Sequence, residues 1–451
     1  MPDNNSPQVL ITPLKPALIL GMAQKLPVLV RVQAPDAPPS DMPVRKPYHL
    51  ALVIDRSGSM SGEPIREAVR CARHMVDRLA PSDHASLIVF DDRVKTLVSA
   101  GPVGDRQALH MALTHIHEGG STNLHGGWKA GADSLFPDAA GSSVARVILL
   151  SDGNANVGEI TDTEPIAALC QEAAAKGVTT STYGLGRSFN ENLMVAMAQK
   201  GRGNHYYGDT AADLFEPFAE EFDLISNLHS RHVKLALGAP AGVKMTLLND
   251  YPVEAREGFP LIRLPDIPYG AEAWALVELE IPAGLALESG NQFLQAGVTA
   301  SSPEGEPIAF PEASLTLKAM SAAAWDAVLP DPLVAGRVAE LAAAELLVKA
   351  RKAADAGDWA AIDSMLAQAR ERFAQFPWVI EVLESVAEIA HERDMARFSK
   401  ESLYSSRKMH GRLSAKDELS AMSGEDAKAS YLRRKKAQGK AQFDDPDRPQ
   451  P

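Results

Sequence analysis

The stretch His49-Leu-Ala-Leu-Val-Ile-Asp-Arg-Ser-Gly-Ser-Met60 decides the fold of this chain. Its first half contains the continuous apolar run Leu50–Ile54, which is typical of a strand buried on both faces of a sheet. Its second half places Asp55, Ser57 and Ser59 at alternate positions of a tight loop. The sequence therefore predicts a buried strand that ends in one carboxylate and two hydroxyls.

Strand and helix patterns alternate on the C-terminal side of this stretch. An amphipathic helical pattern covers Glu63–Leu79, and a second apolar strand pattern falls at Arg146–Leu150. Repeated β–α alternation indicates a mostly parallel sheet with helices on both faces. We predict an α/β domain with a Rossmann-like, doubly wound, mostly parallel sheet over residues 48–228.

The segments on either side of this domain carry a different pattern. Residues 1–47 contain strand patterns interrupted by prolines, and residues 229–320 consist of short alternating stretches separated by Pro and Gly turns. Short alternating strands of this kind are typical of an antiparallel sandwich. Because the strands of residues 1–47 have no partners of their own, we predict that they complete this all-β sandwich. The α/β domain is then inserted between the two pieces of the sandwich.

The C-terminal part of the chain is helical and then polar. Residues 321–400 are rich in alanine, and their pattern predicts three helices in a bundle or hairpin. Residues 354–369 resemble one tetratricopeptide-like hairpin, but a lone hairpin is not a repeat array, so a generic bundle and a peptide-binding repeat both stay open. Residues 401–451 are predicted to form a flexible polar tail because they lack the apolar content of a core.

Composition narrows the choice of partners and compartment. The formal net charge of −13 argues against nucleic acid as the main partner, since binding phosphate needs clustered Lys and Arg. The basic cluster Arg433–Lys436 is the local exception, and it fits either a solvated tail or a contact with RNA, an anionic membrane or an acidic protein surface. The sequence contains no stretch of about 18 apolar residues, so we expect no membrane span. The only two cysteines, Cys71 and Cys170, fall within helical patterns, so we expect a reducing, cytoplasmic location.

Two further loops carry oxygen ligands at predicted strand or helix ends. Gly119-Gly-Ser-Thr-Asn123 stands just before a helical pattern, and Ser151-Asp-Gly153 directly follows the second apolar strand. In an open parallel sheet, ligands bind at the carboxyl ends of the strands, where such loops meet. Because every donor is an oxygen, the set favours Mg²⁺, Mn²⁺ or Ca²⁺ over zinc.

These three loops together resemble the metal-ion-dependent adhesion site of von Willebrand factor type A (VWA) domains. The resemblance rests on Asp55-x-Ser57-x-Ser59 with Thr122 and Asp152 downstream, and it covers about residues 48–225. It implies that the hydroxyls of Ser57, Ser59 and Thr122 bind a Mg²⁺ ion, or Mn²⁺ or Ca²⁺ in its place. It also implies that Asp55 and Asp152 bind the cation directly or through water. A simple capped loop and a metal-free version of the domain are the alternatives.

The expected function follows from the charge of this ligand set. Two carboxylates and three neutral hydroxyls leave the cation short of negative charge, so an open position favours an Asp or Glu side chain of a protein partner. We therefore predict a metal-dependent protein–protein interaction module rather than an enzyme. Relatives of this kind work beside AAA-type ATPases or in kinase-linked complexes, so an adaptor role is one expectation. The alternative is a divalent-metal-dependent hydrolase with His125 as its base.

Several neighbours of the three loops have more than one interpretation. Arg56 either selects an acidic partner or is an ordinary surface arginine, and Asp91-Asp92 is expected to form a solvated turn. His115 and His117 are two residues apart at a helix end, so their rings point away from each other. We therefore do not expect this pair to bind a metal.

Overall fold

The structure is a computed structural model that divides into two compact units. It describes residues 6–38, 47–139, 144–185, 190–208, 214, 224–225, 227–254, 260–283, 285, 292–411 and 414–415. One unit is formed by the described residues between positions 42 and 226. The other combines the N-terminal strands with the described residues from position 227 onward.

The described residues form strands β1–β20 and helices α1–α10. The strands of the first 208 residues are β1 (Gln8–Pro13), β2 (Ala17–Ile19), β3 (Gln24–Gln33), β4 (His49–Asp55), β5 (His84–Phe90), β6 (Val94–Pro102), β7 (Ala145–Ser151), β8 (Val178–Leu185) and β9 (Arg202–Gly208). The later strands are β10 (Leu228–Gly238), β11 (Lys244–Leu247), β12 (Val253–Glu254), β13 (Leu261–Arg263), β14 (Ile267–Pro268), β15 (Ala271–Ile281), β16 (Leu294–Ser301), β17 (Pro307–Ala309), β18 (Ala313–Leu315), β19 (Lys318–Met320) and β20 (Ser414–Ala415). The helices are α1 (Glu63–Arg78), α2 (Gln107–Thr114), α3 (Leu124–Ala139), α4 (Thr163–Ala175), α5 (Glu191–Lys200), α6 (Ala322–Asp326), α7 (Pro332–Asp355), α8 (Trp359–Arg372), α9 (Pro377–Glu392) and α10 (Met395–Gly411).

The unit between positions 42 and 226 is built on one six-stranded sheet. Its strand order is β6-β5-β4-β7-β8-β9, and every neighbouring pair is parallel except the antiparallel pair of β5 with the edge strand β6. Strand β4 lies at the centre, and all seven of its residues are buried. The prediction of a mostly parallel, doubly wound α/β sheet is therefore confirmed.

Helices cover both faces of this sheet. Ala51 and Val53 of β4 belong to a core that also contains apolar side chains of α3, α4 and α5. The alternate residues of β4 are equally buried, and α1 packs on this strand from the other face. Helix α3 runs unusually close to the sheet, since a Cβ at Gly131 would lie 2.5 Å from Cγ2 of Val53. That glycine lets α3 lie against the strands that carry the site described below.

The other unit contains two antiparallel sheets and a short parallel pair. The first sheet has the order β1-β3-β15-β11, with β20 also paired to β15. The second has the order β12-β13-β10-β16-β17, with β14 on β10 and β18 on β16. Val30 of β3 pairs with Ala275 of β15, so an N-terminal strand hydrogen-bonds with a strand far along the chain. The sandwich arrangement of the two sheets stays a prediction.

Helices α6–α10 form the helical part of this unit, as the sequence predicted in general terms. Val334 and Leu341 of α7 pack on Leu29, Trp274 and Leu276 of the first antiparallel sheet. The expectation of three helices in this part of the chain is wrong, because the described residues from 322 to 411 form five. No helix in the described part of the chain combines the length and apolar character needed to cross a membrane.

The predicted polar tail does not begin at residue 401. Helix α10 continues to Gly411, and its Phe398, Ser402, Ser406 and Met409 are all buried. These positions recur three or four residues apart, which places them on one face of the helix. Two of the four are serines, so the buried face looks polar in the sequence. The rest of the predicted tail, including the basic cluster at 433–436, lies outside the described residues.

Candidate functional site

Two of the three oxygen-bearing loops leave the same edge of the parallel sheet, after β4 and after β7, and the loop Gly119–Asn123 comes between α2 and α3. Asp55 is the last residue of β4 and pairs in register with Phe90, the last residue of β5. On the other side of β4, Ile54 pairs with Leu150, so Asp55 stands beside Ser151 at the end of β7. The carboxyl ends of β4, β5 and β7 are therefore level with one another. The sequence predicted this for β4 and β7.

The carboxylate of Asp55 is held from two sides. Its side chain is fully buried. Oδ1 accepts a hydrogen bond from the backbone N–H of Ser57 at 2.8 Å, and Oδ2 accepts one from the hydroxyl of Ser151 at 2.6 Å. The first donor belongs to the loop after β4, and the second belongs to the neighbouring strand. The orientation of this carboxylate is consequently fixed by both segments.

The two serines of the first loop stand side by side. The Oγ atoms of Ser57 and Ser59 are 3.1 Å apart. Ser57 is buried, whereas Ser59 is exposed in the middle of the short 3₁₀ turn Gly58–Met60. The hydroxyl pair therefore spans from the interior of the sheet edge to its surface.

Backbone hydrogen bonds join the first loop to the second. The N–H of Gly58 donates to the carbonyl of Gly120 at 2.8 Å, and the N–H of Gly119 donates to the carbonyl of Arg56 at 2.7 Å. Thr122 follows two residues later and is buried. These reciprocal bonds bring the loop that carries Thr122 against the loop that carries Ser57.

The third loop is joined to the second in the same way. The carbonyl of Thr122 accepts hydrogen bonds from the N–H groups of Asn156 and Val157 at 3.0 and 3.2 Å. Asp152 is nearly fully buried, and its Oδ1 accepts from the N–H of Asn154 at 3.2 Å. All five residues singled out in the sequence thus lie on three loops that hydrogen bonds connect directly.

Burial dominates the electrostatics of the site. It raises the pKa of Asp55 from 3.8 to about 6, because a charged carboxylate loses hydration there. The hydrogen bonds from Ser151 and Ser57 act in the opposite direction, and the charge of Asp152 adds to the increase. Among the described residues, no positively charged group is one of the causes that set the pKa of Asp55, so its ionised form lacks that compensation there.

The donor set fits a hard divalent cation. Its donors are two carboxylates and three hydroxyls, and such oxygen ligands suit Mg²⁺, Mn²⁺ or Ca²⁺. Across the residues that the structure describes, no three His, Cys, Asp or Glu side chains are grouped to hold a metal ion. A cation at this edge would consequently depend on the hydroxyls as well as the carboxylates. A divalent cation would also supply the positive charge that a buried, ionised Asp55 lacks.

Arg56 and Asp91, which were not among the predicted ligands, form part of the structure of the site. Arg56 Nη2 lies 2.7 Å from Oδ2 of Asp91, and the side chain of Asp91 is only 6% exposed. Asp91 Oδ1 also accepts from the N–H of Arg93, and its carbonyl accepts from the N–H of Asn123. The expectation of a solvated turn is wrong for Asp91, which is buried by its contacts with two of the loops. Arg56 and Asp91 are far apart along the chain, so no local pattern in the sequence indicates this pair.

The histidines near the second loop do not join the site. His125 is buried at the start of α3, and burial lowers its pKa. In the described part of the chain it donates or accepts no hydrogen bond with the five candidate ligands. His115 is exposed, and its Nδ1 lies 2.8 Å from the carbonyl oxygen of Met111. These positions give no support to His125 as the base of a hydrolase.

Fold and site together define a doubly wound α/β domain with an oxygen-rich edge. Residues 49–221 match the family model of the von Willebrand factor type A domain, so the chain contains a VWA domain. A curated relative, uncharacterized protein sll0103 of Synechocystis sp., is 30% identical over 199 residues, which are 44% of this chain and 46% of that protein. The chain thus spans less than half the length of this relative.

Solved structures extend the similarity of fold beyond the VWA domain. A von Willebrand factor type A protein from Catenulispora acidiphila superposes with a TM-score of 0.67 at 16% identity, covering 86% of this chain and 91% of that one. The ArnB paralog VWA2 from Sulfolobus acidocaldarius gives a TM-score of 0.58 at 18% identity, covering 90% and 99%. At these identities the likeness concerns the fold alone.

Proposed function

We propose that this chain is a metal-dependent protein–protein interaction module. Its VWA domain binds a divalent cation through Asp55, Ser57, Ser59, Thr122 and Asp152, and the cation in turn binds an acidic side chain of a protein partner. Mg²⁺ is the proposed ion, with Mn²⁺ or Ca²⁺ able to replace it. The chain acts by binding and not by turnover.

The observation that carries this proposal is the joining of the three loops. Gly58 donates to Gly120, and Asn156 donates to Thr122, both through backbone N–H groups. Backbone bonds of this kind do not depend on a cation, so the ligand loops are held together before one binds. Preorganised ligands lower the cost of assembling a binding site.

The charges of the site favour an anionic partner. The cation, when bound, supplies a Lewis-acidic position that an additional carboxylate can occupy. Asp55 and Asp152 contribute at most two negative charges, and the hydroxyls contribute none. Ser59 is exposed, so this side of the site is open to an incoming Asp or Glu side chain.

The remaining parts of the chain serve as a scaffold in this proposal. The proposal keeps the predicted VWA boundaries at residues 48–228 and the sandwich arrangement of the two antiparallel sheets. An AAA-type ATPase or a kinase-linked complex is the proposed class of partner, with an adaptor role for this chain. A cytoplasmic location is proposed because Cys71 and Cys170 are buried on different helices and form no disulfide among the described residues.

Calorimetric titration of the full chain with Mg²⁺ and Mn²⁺ tests the proposed cation site. We expect binding to the wild type, and loss of binding in Asp55→Ala and Thr122→Ala. The matched control is Ser86→Ala, which removes a buried hydroxyl of β5 that lies 3.0 Å from the Ser134 hydroxyl, away from the three loops. A wild-type chain that binds none of Mg²⁺, Mn²⁺ and Ca²⁺ would overturn the proposal.

Capture of partners by the immobilised chain tests the second step. Proteins retained in Mg²⁺ should be released by a chelator and should not be retained by Thr122→Ala. Ser86→Ala should retain them as the wild type does. Retention that is the same with Mg²⁺, with chelator and in Thr122→Ala contradicts a cation-mediated contact.

A further inference from the structure

The hydroxyl of Ser151 connects two of the ligand loops. Ser151 ends β7 and is fully buried. Its Oγ accepts a hydrogen bond from the N–H of Gly153 at 2.8 Å and donates to Oδ2 of Asp55 at 2.6 Å. A serine hydroxyl has a single proton, and a backbone N–H can only donate, so the proton of Ser151 is available for Asp55. The short distance is typical of a hydrogen bond to a charged carboxylate.

The turn after Ser151 is fixed at its other end. Gly153 has a φ of +69°, and a Cβ there would lie 2.8 Å from Cγ of Met194 and 2.9 Å from the carbonyl oxygen of Asn190. The carbonyl of Asp152 accepts from the N–H of Asn190 at 2.7 Å, immediately before α5. The backbone of Asp152 is therefore held between the hydroxyl of Ser151 and the start of α5.

We infer that Ser151 is a positioning residue of the proposed cation site. Its hydroxyl fixes the position of the Asp55 carboxylate relative to the turn that carries Asp152, and it does not contact the cation itself. This inference rests on the proposed function, because it concerns the geometry of the same ligands. It adds a residue outside the five-residue motif, one whose hydroxyl contacts the Asp55 carboxylate and the backbone turn that carries Asp152.

The consequence of removing this hydroxyl is specific. Without it, Oδ2 of Asp55 loses a donor and the N–H of Gly153 loses an acceptor, so both carboxylates gain freedom to reorient. Partners that orient metal ligands typically contribute about 10- to 100-fold to metal affinity. We expect Ser151→Ala to weaken Mg²⁺ and Mn²⁺ binding by about that factor. Ser151→Thr keeps the hydroxyl and should bind within about threefold of the wild type, which is below that range.

The test is calorimetric titration of the full chain with Mg²⁺ and with Mn²⁺. Ser86→Ala is the matched control, since it also removes a buried strand hydroxyl of this sheet and should leave cation affinity unchanged. If Ser151→Ala does not fold, Ser151→Thr and Ser151→Val decide the question. Both add the same methyl group, but only threonine keeps the hydroxyl.

The outcomes separate this inference from the proposed function. Weaker binding in Ser151→Ala or Ser151→Val, with recovery in Ser151→Thr, supports the positioning role. A wild type that binds cation with the same affinity as Ser151→Ala overturns the inference while leaving the proposed function intact. Equal weakening in Ser151→Thr and Ser151→Val also overturns it, because the hydroxyl would then be irrelevant. A wild type that binds no cation overturns both.

Discussion

Replacement of Asp55 by asparagine should stabilise the cation-free VWA domain at neutral pH. The pKa of about 6 lies above the ordinary value of 3.8, so the folded state holds this proton more tightly than the unfolded state does. The stabilisation is complete below pH 3.8 and is lost as pH rises through 6. The difference between the two pKa values corresponds to about 3 kcal/mol at pH 7 and above. Asp55→Asn removes this loss, because its side chain does not ionise.

The quantity to measure is the free energy of unfolding between pH 4 and pH 8, once in chelator and once in saturating Mg²⁺. Amide hydrogen exchange in β4 and β7 measures it for this unit within the intact chain. In chelator, the stability of the wild type relative to Asp55→Asn should fall by about 2.4 kcal/mol as pH rises from 4 to 7. In Mg²⁺ the wild type should recover this stability and Asp55→Asn should not.

Asp92→Asn is the matched control for this prediction. Asp92 lies near the same loops, but its side chain is 52% exposed. Its replacement should leave both the pH dependence and the effect of Mg²⁺ as in the wild type. A pH-independent difference between the wild type and Asp55→Asn in chelator would refute the reasoning. Equal stabilisation of both proteins by Mg²⁺ would show that Asp55 is not a ligand.

Three further predictions test the remaining structure. Asp91→Asn should lower the free energy of unfolding by about 2 kcal/mol, because it removes a charged hydrogen bond. In a double-mutant cycle with Arg56→Met, the double mutant should lose less stability than the two single mutants lose in sum. Additive losses would contradict the ion pair. Gly131→Ala should destabilise by about 1–3 kcal/mol through overpacking against β4. Gly336→Ala should stabilise by about 1 kcal/mol in a urea titration, because a Cβ there would meet no atom within 4 Å. Met409→Ala should cost about 2–5 kcal/mol because Met409 is fully buried, and a cost near zero would favour the tail predicted from the sequence.

Local pattern was sufficient for the α/β sheet and for its oxygen-bearing edge. Apolar runs such as Leu50–Ile54 identify strands buried on both faces, because a strand with one face in solvent alternates apolar and polar residues. The order of strands and helices then places Asp55 and Asp152 at the same edge. Local pattern failed for α10, whose buried face contains Ser402 and Ser406 and so looks polar in the sequence.

The sequence by itself determined which residue types stand at the strand ends. Both the hydrophobic pattern of a strand and the residue types of a loop are set by residues that are adjacent in the chain. Only the tertiary structure decided how those residues are held. Ser151 reaches Asp55 across 96 positions, and Arg56 meets Asp91 across the ends of two strands. The pairing of β3 with β15 likewise joins distant segments. Such contacts depend on which surfaces the folded chain brings together, and no short stretch of sequence encodes that choice.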